Sequence, residues 1–489
     1  MDDGTTGRTP AVPERGPLPL STGQEALWLA HQLDPDSSAY NVVLAVRLRD
    51  PVRVDALQDA LHALAARHEL LRSRFPAAAD GPVRYAGPPE RVRLQVRDLP
   101  PGSGAPELLR AATDAGREPF RLAASAFRAV LLRRAPDDGV LVTVTHHLVS
   151  DATSQWLLVR DLFALYGART GARAAALPDT SALPGATALP DTSALPGTPA
   201  GWDAQVRAEA EFVGSPRGKR AAGHWRTVCA GLAAAELPAD RPRPARRTLN
   251  GATHEVALDT ATAARLRATA AGRGITPFAW LLGTFQAALH RSGAGPAFLI
   301  GCPATTRFTP GTREAVGYYV NALPVAARFT PATTLLETVT AARHQLRAGL
   351  AHARLPVELI PGGPAGGPLF RISCTLVAAD RLPVEGLYET LRGGGPVRLG
   401  GLRAELYDVP QQEGQLDLTV EILQDATGFR AVLRYNTDLF DATAPQRFGT
   451  TWLRLLETSL DAPDTPVAAV ALVGDDDLRA LLALGTGGA

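Results

Sequence analysis

Apolar residues fall on a helical period in one early segment and alternate with polar residues in another. Over residues 55–74 the spacing is typical of an amphipathic helix, carried by Leu57, Leu61, Leu64, Leu70 and Leu71. Residues 139–145 (GVLVTVT) alternate like a strand with one buried face. A loop and a predicted helix over residues 154–166 follow at once.

The second half of the chain repeats this mixture of elements. Thr276 and Pro277 have the character of an N-cap and a first-turn proline, so a helix is predicted from there through His290. Residues 298–301 then resemble a strand. Since both halves mix helix and sheet, the pattern predicts an α/β or α+β protein with two lobes.

A proline-rich segment divides the two halves. The nine residues LPDTSALPG occur at 177–185 and again at 189–197, and this density of proline and glycine disfavours both helix and strand. We therefore predict a linker over residues 176–200. The rest of the predicted organisation is a disordered leader (1–17), an N-terminal lobe (18–175), a C-terminal lobe (201–482) and a tail or the start of an inter-domain linker (483–489).

Charge and cysteine usage narrow the function classes. The formal net charge is +1 with no basic stripe, so a nucleic-acid partner is not indicated. The longest apolar run, around residues 278–289, is too short and too mixed to span a bilayer, so no membrane partner is indicated either. Three widely spaced cysteines and no visible secretory signal predict a cytoplasmic protein with reduced thiols and no metal site.

The strongest candidate chemistry lies at the predicted strand-to-helix junction, residues 146–152 (HHLVSDA). Adjacent side chains of a strand point to opposite faces, so one of His146 and His147 faces a given cavity and the other packs with its ring nitrogen satisfied. Asp151 precedes a helix that it could cap. On local grounds alone, two core histidines and a capping aspartate remain an alternative to a catalytic site.

Further short motifs run in order along the chain, from about residue 18 to residue 482. They are LSTGQ with LWL (20–29), RHELLRSRF (67–75), HW with LPADRPRP (224–244), GCP with Arg307, VGYYVNALP (316–324), His352 with LPVELI (355–360), QLDLT (415–419) and YNTDLFD (435–441). Together with the junction, which resembles the signature His-His-x-x-x-Asp-Gly, they resemble the condensation domain family of nonribosomal peptide synthetases.

The resemblance implies a fold and a reaction. The fold would be a V-shaped pseudo-dimer of two chloramphenicol-acetyltransferase-like lobes with a central tunnel, entered by two phosphopantetheine arms. The reaction would be condensation of a carrier-bound acyl or aminoacyl thioester donor with the amine of an acceptor, as in antibiotic and other secondary-metabolite biosynthesis. The implied partners are donor and acceptor carrier proteins and an adenylation domain. The chain itself would bind no cofactor, since the phosphopantetheine belongs to the carriers.

The resemblance also assigns roles within the signature. His147 would be the catalytic histidine, either as general base or as a group that orients an amine already partly deprotonated at neutral pH. Asp151 would pair with Arg307 across the lobe interface, and His146 would support the loop. The supporting motif also includes Ala152, where the family has glycine, and Ser154; strain follows if position 152 requires a positive φ.

Two further expectations concern the surroundings of the reacting carbonyl. Backbone N–H groups near Ala152 and Ser154, at a helix N-terminus, are candidates for stabilising an oxyanion. In the second lobe the candidates for lining the tunnel are Asn321, Asp417 and Tyr435.

Related activities on the same fold remain as alternatives. An epimerisation domain would carry an acidic residue in a His-Gly-Arg-Glu type segment, which the chain lacks, and a heterocyclisation domain would have aspartate at the position of His146. A free-standing acyltransferase that forms esters with an alcohol acceptor, and a non-catalytic recruitment domain, stay open. The sequence does not identify the donor or the acceptor.

Overall fold

A computed structural model describes residues 14–171, 201–245, 248–362, 367–411, 414–425 and 428–472. The predicted linker over residues 176–200 and the predicted tail over residues 483–489 lie outside the described residues, as do residues 1–13 of the predicted leader. Among the helices that the structure describes, none combines the length and the apolar character needed to cross a bilayer.

The chain forms two compact units that are not contiguous in sequence. Unit 1 comprises Met1–Ser215, Thr305–Val320 and Arg381–Gln412, and unit 2 comprises Pro216–Ala304, Asn321–Asp380 and Glu413–Ala489. The predicted division into residues 18–175 and 201–482 does not coincide with these units and stays a prediction. Two segments of the second half of the chain pack into unit 1, and packing over such sequence distances leaves no local pattern.

Unit 1 is built on a six-stranded mixed sheet with the order β14-β15-β2-β9-β8-β7 and on a small sheet with the order β1-β6-β3. Its elements are β1 (Arg15–Leu18), α1 (Thr22–Leu33), β2 (Asn41–Leu48), α2 (Val54–Arg67), β3 (Ser73–Arg74), β4 (Ala77–Ala78), β5 (Gly81–Pro82), β6 (Arg84–Ala86), β7 (Leu94–Asp98), α3 (Ala105–Arg117), β8 (Phe127–Ala135), β9 (Asp138–His146), α4 (Ala152–Thr170), α5 (Trp202–Gly214), α9 (Pro310–Arg313), β14 (Val397–Leu399) and β15 (Leu402–Tyr407). Strands β7 and β8 are parallel. The other described pairs of this part of the sheet are antiparallel: β15 with β2, β2 with β9, and β9 with β8.

Strand β9 lies in the middle of this sheet, and all nine of its residues are buried. The prediction of one buried face is therefore wrong. The threonines that alternate with its apolar residues are satisfied inside the unit: Thr143 Oγ1 donates to the carbonyl of Leu44 (2.8 Å), and Thr145 Oγ1 accepts from Gln155 Nε2 (2.6 Å). A central strand with both faces covered holds the junction that follows it in place.

Two segments predicted from the sequence end at other residues in the structure. The helix predicted over residues 55–74 ends at Arg67, because the backbone of His68 is extended (φ −117°, ψ 92°). Arg67 and His68 both contact the buried carboxylate of Asp161 in α4, each at 2.9 Å. Residues 15–17, predicted as the end of a disordered leader, instead belong to β1 (residues 15–18), and Arg15 pairs with Glu69 at 2.6 Å.

Unit 2 contains the second six-stranded mixed sheet, with the order β10-β17-β16-β13-β11-β12. Its elements are α6 (Pro216–Cys229), β10 (Gly251–Ala257), α7 (Thr260–Gly272), α8 (Pro277–Leu289), β11 (Ala297–Thr305), β12 (Val320–Arg328), α10 (Leu335–Ala351), β13 (Ile372–Ala378), β16 (Leu418–Gln424), β17 (Phe429–Asn436) and α11 (Thr443–Asp461). The predicted cap is confirmed, because Thr276 accepts from the amide of Ala279 (3.2 Å) at the start of α8. The mixed α/β class predicted for both halves is confirmed as well.

Candidate active site

The signature occupies the turn between a central strand and a buried helix. His146 is the last residue of β9, His147–Val149 form a single 3-10 turn, and Asp151 caps the N-terminus of α4. The predicted order of strand, loop and helix is confirmed. The two histidines differ in exposure: His146 is 2% exposed, whereas His147 is half-buried.

Hydrogen bonds select one tautomer of His147. Its backbone N–H donates to the carbonyl of Tyr40 (2.8 Å), and its Nδ1 lies 2.7 Å from the carbonyl oxygen of Ser150. A carbonyl only accepts, so Nδ1 carries the proton and Nε2 carries the lone pair. The ring of Tyr318 stands edge-on to the imidazole, with 5.3 Å between the ring centroids.

His146 packs as predicted but is not fully satisfied. Its Nδ1 accepts from the amide of Leu148 (3.2 Å), and its ring lies edge-on to those of His31 (5.2 Å) and Phe120 (6.3 Å). Its Nε2 has no hydrogen-bond partner among the described residues, so the expectation that its ring nitrogen is satisfied holds for one nitrogen of the two. Burial, and secondarily the charges of His31 and His147, lower the pKa of His146 to about 3.

This low pKa predicts a loss of stability in mild acid. In the unfolded chain a histidine protonates near pH 6.5, whereas folded His146 stays neutral until about pH 3. The unfolded state therefore binds the extra proton first, and stability falls as the pH drops below 6.5. Between pH 7 and pH 5 the wild-type protein should lose about 2 kcal/mol more than His146→Asn, measured by urea unfolding. An equal loss in both proteins would contradict the buried, neutral state of His146.

Asp151 and Arg307 form a buried ion pair. Nη2 of Arg307 lies 2.8 and 3.0 Å from the two carboxylate oxygens, and the side chains are 7% and 5% exposed. Arg307 also donates through Nη1 to the carbonyls of Thr312 (2.6 Å) and Ala315. Both partners belong to unit 1, so the prediction that the pair crosses between lobes is wrong. The pair instead ties the 305–320 segment to the helix that follows the signature.

Ser154 has a structural part in the same network. Its Oγ accepts from Arg307 Nη2 (2.7 Å) and exchanges hydrogen bonds of 3.0 Å with both the N–H and the carbonyl of Gly317. Its backbone N–H donates to Asp151 Oδ1 at 2.7 Å. That amide is therefore used by the cap, and the prediction that it faces an oxyanion is wrong.

Ala152 fits its place without strain. It is the exposed first residue of α4 and does not have a positive φ, so its methyl group causes no backbone cost. As a first-turn amide it is one of those that a helix leaves without an intrahelical acceptor.

The anchored segment places an aromatic residue beside His147. The amide of Tyr319 donates to Asp151 Oδ2 (3.1 Å), and the ring of Tyr319 lies 4.4 Å from the guanidinium carbon of Arg307. Tyr318, the preceding residue, therefore has both neighbours held, since Gly317 is bonded to Ser154. The ion pair therefore helps to fix the position of Tyr318 beside His147.

Close packing at Gly317 predicts a destabilising substitution. A Cβ there would lie 2.5 Å from Cζ3 of Trp202 and 2.8 Å from Cε2 of Tyr319. Gly317→Ala should therefore lower the free energy of unfolding by about 1–3 kcal/mol, as overpacking typically does. Gly214→Ala is the control, because a Cβ at Gly214 meets nothing within 4 Å. Urea unfolding of both variants tests the expectation, and equal stability of the two would contradict it.

Gln24 is a site residue whose role the sequence did not reveal. It is fully buried, its Nε2 donates to the carbonyl of Leu148 (2.9 Å), and its Oε1 accepts from Trp202 Nε1 (2.8 Å). It thus links the turn that carries His147 to α5. The available signal was the spacing Ser21-x-x-Gln24, which is typical of a capping box and forms one here.

The three predicted tunnel residues lie in or at the edge of the sheet of unit 2. Asn321 uses its amide to bind the carbonyls of Ala353 (2.8 Å) and Leu355 (2.6 Å), and Asp417 pairs with Arg243 (2.5 Å). Tyr435 is buried in β17 and lines a cavity of about 310 Å³. These contacts describe packing within unit 2, and the tunnel role of the three residues remains a prediction.

Metal-binding groups are not found near the signature. Within the described ranges no group of three or more histidine, cysteine, aspartate or glutamate side chains could hold a metal ion. Cys229, Cys302 and Cys374 are free thiols, and burial raises the pKa of Cys302 to about 12.

Comparisons with known proteins agree on one family. A family model described as Condensation domain matches residues 14–181 and 191–482. Phosphinothricin tripeptide synthetase PhsC of Streptomyces viridochromogenes is 32% identical over 97% of this chain, and phosphinothricin tripeptide synthetase PhsB of the same organism is 30% identical over 95%. The chain spans 42% of the length of PhsC and 38% of the length of PhsB.

Solved structures share the fold. The X-domain from teicoplanin biosynthesis has a TM-score of 0.79 at 23% identity, covering 94% of this chain and 99% of that one. The first condensation domain of the calcium-dependent antibiotic synthetase has a TM-score of 0.69 at 22% identity, with the same coverage. The family model and the similar synthetases show that the chain belongs to the condensation domain family, the amide-bond-forming acyltransferases of nonribosomal peptide synthetases.

Proposed function

We propose that the chain joins a carrier-bound acyl or aminoacyl thioester to the amine of an aminoacyl group on a second carrier protein. The observation that carries this proposal is the state of His147, whose Nδ1–H is held by the Ser150 carbonyl so that the Nε2 lone pair is the reactive one. Both substrates would be attached to the phosphopantetheine of carrier proteins supplied by a cytoplasmic synthetase with an adenylation domain. The chain would contribute its own side chains and no bound cofactor.

The proposed step is an acyl transfer with one proton to relocate. The acceptor nitrogen attacks the thioester carbonyl, a C–N bond forms, the carbonyl oxygen becomes an oxyanion, and the C–S bond then breaks. The nitrogen loses a proton to Nε2 of His147, and the departing thiolate takes a proton in turn. An imidazole can both accept and donate a proton near neutral pH, so it suits both transfers.

The acceptor determines how much base catalysis is needed. An α-amino group has a pKa of about 7.7–8.0, so part of the acceptor is already neutral at pH 7 and His147 then chiefly orients it. An alcohol would not be deprotonated at this pH and would depend on the base much more strongly. Transfer to an amine is therefore the reaction that needs the least base catalysis from this site.

The N-terminus of α4 is the proposed source of oxyanion stabilisation. The amide of Ala152 begins the helix, and the partial positive charge of a helix N-terminus favours a developing negative charge. Asp151 caps the same helix, so its carboxylate is engaged by Ser154, Tyr319 and Arg307 rather than by substrate. Asp151 is accordingly a positioning residue in this proposal.

The test uses two loaded carrier proteins and the full chain. An aminoacyl donor carrier is mixed with an aminoacyl acceptor carrier, and intact mass spectrometry follows the formation of a dipeptidyl carrier. A matched acceptor bearing the corresponding hydroxyacyl group replaces the amine by an alcohol. Product with the amine and little with the alcohol supports the proposal.

The opposite outcomes identify the two alternatives. Product with the alcohol acceptor but with none of a panel of amines would make the chain an ester-forming acyltransferase. No transfer with either acceptor, while the carriers still bind, would favour a recruitment domain. The fold shared with the teicoplanin X-domain, which was solved in a complex with OxyB, keeps that second alternative worth testing.

A further inference from the structure

Unit 1 contains a cavity with a pronounced excess of positive charge. Its volume is about 330 Å³. The charged residues in its lining are five arginines and one carboxylate, namely Arg72, Arg91, Arg93, Arg121, Arg128 and Glu118. The lining therefore has a formal charge of +4 (five minus one), whereas the whole chain has a formal charge of +1.

Arg128 is the buried member of this group. It is 8% exposed, and its Nη2 donates to the carbonyls of Ala115 (3.0 Å) and Glu118 (2.7 Å). Its Nε–H has no acceptor among the residues that the structure describes. Buried donors are rarely left without a partner, so the Nε–H group of Arg128 is a candidate to donate to an acceptor on a ligand. Burial lowers the pKa of Arg128, and the single nearby carboxylate does not reverse that effect.

The carboxylate of Glu118 is shared and half exposed. Its Oε1 lies 3.5 Å from Arg128 Nη1, and its Oε2 lies 3.3 Å from Arg97 Nη2, which is outside the lining. Glu118 is 48% exposed in its side chain, so solvent weakens both pairs. Two other arginines of the lining have carboxylate partners outside it, at 3.1 Å (Arg91–Glu14) and 3.4 Å (Arg121–Asp36), but these pairs are exposed and solvent weakens them as well.

Arg72 extends the buried part of the excess charge. Its Nε donates to the carbonyl of Ala65 (3.0 Å), and Nη1 donates to the carbonyl of Gly87, so its bonds go to neutral acceptors. Its nearest carboxylate, Glu69, lies 3.9 Å away and is closer to Arg84. Burial lowers the pKa of Arg72 too. One buried cation, Arg128, and one partly buried cation, Arg72, therefore line the same cavity without a close counter-ion of their own.

We propose that this cavity binds the phosphoryl group of a small phosphate ester. Guanidinium groups match phosphate oxygens in bidentate geometry, and several of them would share a dianion. The volume lies at the low end of the 300–1,000 Å³ range of small-molecule sites and exceeds the needs of a bare phosphate ion. The rest of the lining includes Leu71, Phe120 and Phe127, which suit a compact apolar group on the ester. This site is separate from the proposed transfer reaction and does not depend on it.

Calorimetric titration at low ionic strength tests the site, with phenyl phosphate and inorganic phosphate as probes. The informative variant is Arg93→Gln combined with Arg121→Gln, because both arginines are exposed and their loss should leave the fold intact. Removing one charged hydrogen bond costs about tenfold in affinity, so the double variant should bind phenyl phosphate at least tenfold more weakly. The control is Arg110→Gln, an exposed arginine of α3 outside the lining.

The two probes also separate the possible sources of the phosphoryl group. Tighter binding of phenyl phosphate than of phosphate, weakened in the double variant, supports the ester site. Equal affinities for the two probes would show that the cavity recognises free phosphate and would contradict the ester. Arg128→Met, with its fold checked by circular dichroism, should weaken the binding of phenyl phosphate further. No saturable binding to the wild-type protein, or equal binding by the double variant and the Arg110 control, would overturn the proposal.

Discussion

Replacing His147 by alanine is expected to lower the rate of amide formation by about 10²–10⁴-fold, the usual contribution of a positioned general base. The bond from Nδ1–H to Ser150 leaves Nε2 as the nitrogen that can take the proton, and alanine offers nothing in its place. His147 is half-buried and its backbone amide, which the substitution retains, makes the bond to Tyr40. Single-turnover assays with loaded carriers, read by intact mass, would measure the rate directly.

A second histidine variant controls for this result. His344 is exposed in α10, so His344→Ala removes an imidazole without touching the signature and should keep the wild-type rate. Circular dichroism would verify that both variants are folded. If His147→Ala kept the wild-type rate as well, transfer would be driven by proximity of the two bound arms, and the assignment of His147 as catalytic would be wrong.

The local elements of the site follow from patterns within ten or twenty residues. A β-rich run that ends in two histidines, followed by a capping aspartate and an apolar helical segment, predicts the strand, the turn and the helix. The structure places β9 at Asp138–His146 and α4 at Ala152–Thr170, with Asp151 as the cap. Thr276 and Pro277 define the start of α8 for the same reason. Caps and periodicity are short-range signals, and here they were sufficient.

The partners of these elements depend on packing across long stretches of sequence. Strand β15 lies beside β2 in the unit 1 sheet, and Tyr407 faces Ala45 across more than 350 positions. Neither hydrophobic period nor the proline-rich repeat marks residues 381–412 as part of unit 1. The pairing of Asp151 with Arg307 was predicted through family resemblance, but its place within one unit was not. Contact between distant segments is a property of the folded core, so local sequence reasoning had no means of assigning it.

The ion pair is the second point at which a single change should have a large effect. Asp151→Asn is expected to lower the free energy of unfolding by about 3–5 kcal/mol, because it leaves the buried charge of Arg307 without a counter-ion. The amides of Ser154 and Tyr319 would also lose a charged acceptor. Urea unfolding measures the change. Asp98→Asn is the control, since the Asp98–Arg133 pair has similar N···O distances but exposed side chains, and such pairs contribute at most about 1 kcal/mol.

A double variant separates the ion pair from the other bonds of the network. If Arg307 is destabilising only when unpaired, Asp151→Asn combined with Arg307→Met should cost less than the sum of the two single variants. The double variant should nevertheless transfer more slowly than the wild-type protein. It still lacks the carboxylate that accepts from the Tyr319 amide and so helps to hold Tyr318 beside His147. Additive losses of stability would show that the two side chains act independently. Recovery of the rate together with stability would show that Asp151 supports the fold alone and does not position His147.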